Sequence, residues 1–558
     1  MMEKVWLKNY PRGIPETVNV DVYSSIVEAF ETYSEQFATK YAFNSLGVRL
    51  TYGEMNKITR DFAAFLQQHL KLKKSDRFAI MLPNVLQFPL AMFAAIRAGL
   101  VVVNVNPLYT AREIAHQLRD AGAKAIIVLE NFATELEKAL PETQIEHVIV
   151  TKVGDCLGSI KGGVVNFVLD HVKNAVPHWN ILGVVAYKEA LQIGHTLELE
   201  QVNIQAEDPA FLQYTGGTTG VAKGAILTHR NIIANVIQSI AWFKSSLEVG
   251  KEIIITALPL YHIFSLTVSC FCFMALGSEC VLILDPRNMK NFLKILKNTS
   301  PTVFIGLNTL FNSLLNQPKF LTLDFSPLKL VVAGGMAMQK SVVNEWKKVT
   351  GTVIIEGYGL TEASPVVSIN PVTIKNYNGS IGLPIPSTDV SIQDETGNEL
   401  SLGKVGELCV KGPQVMQGYW NQPEETAIAI DQQGWLRTGD IAKIDERGFI
   451  YLLDRKKDMI LVSGFNVFPN EVEDIIASHP GVKEVAVVGV PSEKSGESVK
   501  AFIVKKDEHV TANDIIVYCR ERLTGYKIPR SIEFCNDLPK SNVGKILRRE
   551  LRKPIHDA

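Results

Sequence analysis

Phe78-Ala79-Ile80-Met81, Leu100-Val101-Val102-Val103-Asn104-Val105 and Ala123-Lys124-Ala125-Ile126-Ile127-Val128-Leu129 are three short apolar runs, separated by amphipathic stretches near Phe88 to Ala98 and Ala111 to Ala121. Strands apolar on both faces need cover on both sides, and helical crossovers between them make them parallel. From Arg77 onward this predicts a parallel sheet between helices. The rhythm returns with Leu328 to Ala333, a helix through Glu345 to Val349, and Val353 to Glu356, so two α/β layers are expected. After Pro365 the chain turns to short β-like stretches broken by Gly and Pro, such as Gly406-Glu407-Leu408-Cys409-Val410-Lys411-Gly412, which predict a small β-rich subdomain running to about Asp454. The charged run Asp454-Arg455-Lys456-Lys457-Asp458 then separates a final block with its own strands and helices. The expected architecture is α/β: a large N-terminal domain (1–454) of two α/β subdomains plus a small β-rich subdomain, a hinge at 455–457, and a mobile α+β C-terminal domain (458–558).

A chain of 558 residues exceeds one compact core, and its 46% hydrophobic and 21% charged residues are those of an ordinary globular protein. A formal charge of -1 removes the electrostatic case for nucleic acid as a main partner. Seven cysteines without a CxxC pair suggest neither a disulfide framework nor a thiolate zinc site, and fit a reducing cytosol. The start, Met1-Met2-Glu3-Lys4-Val5-Trp6, has no apolar stretch suited to secretion. Between Glu252 and Glu279 no charge occurs over 26 positions, long enough to cross a bilayer. Pro259, His262 and Ser265 interrupt that run, and Ile253 to Leu258 reads as a buried strand followed by a core helix.

The densest local signal is Tyr214-Thr215-Gly216-Gly217-Thr218-Thr219-Gly220-Val221-Ala222-Lys223-Gly224. Glycines let backbone N–H groups turn towards an anion, threonines add hydroxyl donors, and Lys223 supplies a mobile charge, which suits a polyphosphate. The spacing departs from G-x-x-x-x-G-K-[ST], because Lys223 follows Gly220 by three and precedes Gly224, so a P-loop phosphotransferase is disfavoured. The alternative is a flexible Gly/Thr surface turn.

With Pro259 to Phe264, Glu356-Gly357-Tyr358-Gly359-Leu360-Thr361-Glu362, Gly434 to Asp440, Asp454 to Asp458 and Pro539-Lys540-Ser541-Asn542-Val543-Gly544-Lys545, the loop makes six motifs in one order over nearly the whole chain. In these the sequence resembles the acyl-adenylate-forming superfamily of acyl-CoA synthetases, beetle luciferases and peptide-synthetase adenylation domains. Asn104 to Thr110, the stretch Asp454 to Glu473 and the segment Lys540 to Arg549 are most similar to bacterial long-chain fatty-acid–CoA ligases.

The resemblance implies a fatty acid, ATP and CoA as substrates and Mg²⁺ as cofactor. It places Tyr214, Thr215, Gly216, Gly217, Thr218, Thr219, Gly220 and Lys223 at the polyphosphate, with Thr218 also catalytic. Glu362 would hold Mg²⁺; otherwise it is a carboxylate at a helix start. Gly357, Tyr358 and Gly359 would face adenine, with Gly334, Gly335 and Thr361 beside them, and Asp440 and Arg455 the ribose. Arg455 can equally be a solvated member of a charge run. His262 is either a satisfied core histidine or a side chain that moves between half-reactions. Lys545 would bridge the carboxylate and the α-phosphate, where opposite charges about 4 Å apart gain roughly 4 kcal/mol at an effective dielectric near 20. Lys457 sits at the hinge, and Gly464 would line a pantetheine tunnel after domain rotation. Trp242 borders the acyl pocket or, more simply, fills the core.

Competing expectations are a ligase for a medium-chain or aryl acid, acyl transfer to a carrier protein, a luciferase-like oxygenase, and a binding protein that has lost catalysis. The last has no need of Lys223, Glu362, Asp440 and Lys545 together, and all four are present. A cytoplasmic location, a homodimer and a peripheral contact of Val164 to Leu169, near Lys161, His171 and Lys173, with the inner membrane are further expectations.

Overall fold

The computed structural model describes residues 3–215, 222–492, 495–541 and 544–552. The predicted α/β class holds. Six parallel strands, in the spatial order Pro209–Thr215, Val101–Asn104, Arg77–Met81, Ala123–Leu129, His147–Thr151 and Val185–Ala186, form the body of an eight-stranded sheet. Lys223–Thr228 and Gly418–Tyr419 extend it antiparallel. The helix expected over Ala111 to Ala121 spans those residues: Thr110 and Glu113 form a capping box, and Gly122 ends it at φ +59.

The second layer has nine strands in the order Leu383–Pro384, Val366–Ile369, Ile354–Gly359, Leu330–Ala333, Val303–Gly306, Ile253–Thr256, Glu279–Leu282, Tyr41–Ser45 and Val48–Thr51. Its inner strands are parallel, and both ends close with antiparallel pairs. Two of its strands therefore come from the first 51 residues, ahead of the other sheet, so the subdomains are not consecutive stretches of chain.

The β-rich subdomain is present but smaller than the sequence predicts. After Pro365 the chain first adds two strands to the nine-stranded sheet, and Gly418–Tyr419 goes to the other sheet. Only Asp389–Gln393, Gly406–Lys411, Leu436–Ile444 and Ile450–Arg455 form the small antiparallel sheet. Short Gly-bounded strands do not reveal which sheet accepts them. The chain then turns at 456–458 into a five-stranded sheet with helices Pro469–Ala477 and Ala512–Arg520. That sheet has its own core around Val487, Ala501 and Ile503. After Lys545 the chain forms a short helix, Arg548–Leu551.

Ile253–Thr256 is a buried strand, followed by buried helical turns Ser265–Phe271 and Cys272–Ala275. Among the described residues no helix is long and apolar enough to cross a membrane. Trp242 is fully buried, and its indole N–H donates to the Asn370 carbonyl at 3.0 Å.

Candidate functional site

Val303–Gly306, Leu330–Ala333 and Ile354–Gly359 run parallel and end side by side, so the residues just beyond them or at their tips share one lip: Leu307 and Thr309, Gly334 and Gly335, then Gly357, Tyr358 and Gly359. Ligands of open α/β sheets gather at these carboxyl ends, where the helices diverge. At Gly359 the chain passes so close to its neighbour that an added Cβ would lie 2.1 Å from the Pro365 carbonyl oxygen. Thr361 and Glu362 follow on a single helical turn, Thr361–Ala363.

Tyr358 donates its hydroxyl to Asp440 Oδ2 at 2.5 Å, and Arg455 Nε lies 3.4 Å from Asp440 Oδ1. Asp440 and Arg455 stand opposite each other on neighbouring strands of the small sheet. Burial raises the Asp440 carboxyl above its usual range against the opposing pull of Arg455. Lys545 enters this cleft from the C-terminal domain, its Cε 3.6 Å from where a Cβ on Gly335 would stand. Its loop is closed by Ser541, whose hydroxyl accepts from the Lys545 N–H at 3.1 Å. Burial, and then repulsion by Arg455, lower the Lys545 ammonium to about 8 against the attraction of Asp440 and Glu362. Burial, and then the charge of Lys545, lower His262 to about 3, so its ring is neutral. The Phe264 N–H donates to His262 Nδ1 at 3.3 Å. On the strand of Tyr358, burial pushes the Glu356 carboxyl up to about 8.

A second cluster lies where the two large sheets meet. The Tyr419 hydroxyl donates to Glu362 Oε1 at 2.7 Å, and Lys223 Nζ stands 5.3 Å over the Tyr419 ring while ion-pairing with Glu425. Lys223 is directly opposite Thr215 in the strand register. Tyr214 points the other way and donates to Asp120 at 2.5 Å. Gly216, Gly217, Thr218, Thr219 and Gly220 lie outside the described residues.

The fold thus brings Lys545, His262, Gly334, Gly335, Gly357, Tyr358, Gly359, Asp440 and Arg455 to one cleft, with Thr361 and Glu362 at its edge and Thr215 and Lys223 in the neighbouring cluster that Glu362 joins through Tyr419. Besides Tyr214, two expected residues are elsewhere. Lys457 is exposed on the turn 456–458, and Gly464 is exposed at the tip of the hairpin Ile460–Val467, with nothing within 4 Å of its added Cβ. Tyr419, Glu425 and Thr309 join the site through partners 57, 202 and 235 residues away. No local pattern encodes such distant pairs.

A small C-terminal domain that sets a lysine against a cleft at the carboxyl ends of a parallel sheet defines a two-domain α/β protein with its candidate site at the domain junction. The chain belongs to the AMP-binding enzyme family, which matches residues 30–420, with the AMP-binding enzyme C-terminal domain matching 471–545. A long-chain-fatty-acid–CoA ligase of Salmonella typhimurium is 54% identical over 99% of this chain and 98% of its own. One of Bacillus subtilis is 39% identical, covering 98% of each chain. Among solved structures, an anthranilate CoA ligase in complex with anthranoyl-AMP superposes with a TM-score of 0.84 at 25% identity, covering 96% of this chain and 98% of the other.

Proposed function

We propose that the chain is an AMP-forming long-chain fatty-acid–CoA ligase, joining fatty acid, ATP and CoA into acyl-CoA, AMP and pyrophosphate through an acyl-adenylate. The observation that carries this reading is full-length identity of 52–54% to curated long-chain-fatty-acid–CoA ligases of enteric bacteria. The structural likeness does not discriminate among acids, since the anthranilate ligase shares the fold, and the medium-chain, aryl-acid and carrier-protein alternatives are not favoured. AMP formation measured with a panel of acids, with and without CoA, tests the reading: palmitate and oleate should be turned over to thioester, and benzoate should not.

In the first half-reaction the carboxylate attacks the α-phosphate and pyrophosphate leaves, so the site must hold two anions together. Lys545 would bridge them, because it is a cation held at the cleft by its own loop. Lys223, Thr215 and the loop 216–220 would hold the β- and γ-phosphates, which requires Lys223 to leave Glu425. Tyr358 with Gly357 and Gly359 would face adenine, and Asp440 with Arg455 the ribose hydroxyls. Neutral His262 would act by position, not by proton transfer.

The residues present fit Mg²⁺. Among the described residues no three acidic, His or Cys side chains form a metal cluster, and Glu362 offers one carboxylate, hydrogen-bonded to Tyr419, the ring that Lys223 stands over. Mg²⁺ commonly takes one or two carboxylates and completes its shell with phosphate and water, where it neutralises phosphate charge.

For thioester formation the C-terminal domain would turn about 455–457, withdrawing Lys545 and bringing Gly464 to the pantetheine path. Exposure of Gly464 and of the turn in this arrangement supports that assignment. A cytoplasmic location and a peripheral inner-membrane contact belong to the same reading. Helix Ser159–Phe167 and its continuation expose Ile160 (85%), Phe167 (58%) and Val172 (66%) beside Lys161, His171 and Lys173, a pattern suited to a lipid interface. Sedimentation with anionic liposomes at low salt tests it. A homodimer rests on the family resemblance alone, and light scattering decides it.

A further inference from the structure

Arg548 follows Lys545 by three residues, and its guanidinium is largely buried between groups of two domains. Nε and Nη2 fork onto Glu473 at 3.1 and 2.7 Å, and Nη2 also donates to Asn470; both partners are on helix Pro469–Ala477 of the same domain. Nη1 reaches Asp454 Oδ1 at 3.1 Å and stands 3.8 Å from Asp458. Asp454 belongs to the other side of the turn: it lies on Ile450–Arg455 of the small sheet, opposite Ile441, with its side chain 1% exposed. Successive side chains on a strand point to opposite faces. Arg455 therefore faces the cleft and Asp440, while Asp454 faces the C-terminal domain, where it also accepts the Asn470 N–H at 2.9 Å.

We propose that Arg548 is a positioning residue: through Asp454 it ties the Lys545 loop to the sheet that carries Asp440 and Arg455, and so holds the two domains in the adenylating arrangement. The proposal rests on the two-step ligase reading above. Charge-assisted bonds from a forked guanidinium fix direction as well as distance, and a lysine cannot span Glu473 and Asp454 at once. Burial raises the carboxyls of Asp454 and Glu473, and the Arg548 charge is the main influence holding both down. The bond to Glu473 lies within one domain and is indifferent to rotation, whereas the bond to Asp454 crosses the turn.

The test compares Asp454→Asn, which keeps an acceptor oxygen and removes the charge, with Glu473→Gln, which weakens only the bond inside the domain; Arg548→Lys serves as a second latch variant. Fatty-acid-dependent ATP–pyrophosphate exchange reads adenylation, thioester formation from synthetic acyl-adenylate reads the second step, and a fluorophore pair on the two domains reads the docked population without substrate. For Asp454→Asn, exchange should fall about tenfold in kcat with KM for ATP within about twofold, and thioester formation should stay within about twofold. Docking should fall with it, and Arg548→Lys should show the same split. Glu473→Gln should lower thermal stability and affect both steps alike. Equal loss of both steps in Asp454→Asn, or an unchanged docked population, overturns the latch. If the wild-type chain gives no fatty-acid-dependent exchange, it is the ligase reading that fails, and the docking measurement still decides the latch.

Discussion

Lys545 carries its charge into a cleft where burial and Arg455 oppose it, which makes that charge sensitive to pH. It is held below about 8 and lost above, so kcat/KM for ATP should fall as pH rises through that region. Phosphates bound beside it favour the charged form, so kcat should hold to higher pH than kcat/KM, and the thioester step should lack this break. Parallel pH profiles of the two half-reactions check this. Lys545→Ala should lower pyrophosphate release by at least about a hundredfold, the scale of losing one preorganised charge, while conversion of supplied acyl-adenylate to thioester persists. Equal loss in both assays on folded protein would refute a two-arrangement mechanism. Lys545, Asp440 and Glu362 were legible in the sequence because their motifs are local strings. Tyr419, which donates to Glu362, was not, because its role comes from a fold contact across 57 residues.

Loops and turns decide where those side chains go. Gly544 has φ +82, and a Cβ there would meet Thr309 Oγ1 at 2.9 Å and Leu307 Cδ1 at 3.2 Å. Gly544→Ala is therefore strained twice, in its backbone and against the lip of the cleft, and should push the Lys545 loop outward. Pyrophosphate release should drop about tenfold or more with the thioester step largely kept, as single-turnover assays of each step would show. Lys457 lies in the turn 456–458, where Arg552 donates to the Lys457 carbonyl at 3.4 Å. Lys457→Pro fixes one φ in that turn and should impair thioester formation more than adenylation; equal loss would mean damage to the fold. The helix near Ala111 to Ala121 was legible from its amphipathic spacing, and in the structure a capping box and a terminal glycine close its two ends. The β-rich region was not, because period-2 patterning names a strand's faces and is silent on its neighbours.

At the scale of the molecule, the C-terminal domain has its own apolar core, and its contacts with the rest include the ion pair of Arg548 with Asp454 and the approach of Lys545 to the cleft. Arg455, Lys456 and Lys457 are exposed at the joint, so trypsin should cut there first and release two folded pieces. A non-hydrolysable acyl-adenylate analogue should slow that cut several-fold by holding the domains together, as gel band intensities over time would record. The class and the two layers were legible from the alternation that starts at Arg77. The membership of Tyr41–Ser45 in the second sheet was not, since its partner, Glu279–Leu282, is more than 200 residues on. That pairing bears on biosynthesis. A hairpin translated among the first 51 residues has to wait on the ribosome for its partner strand, roughly 10–50 s at 5–20 residues per second. During that interval its open edge is a template for the wrong strand, and synonymous codons that slow translation between the two partners would lengthen the exposure without altering a single amino acid.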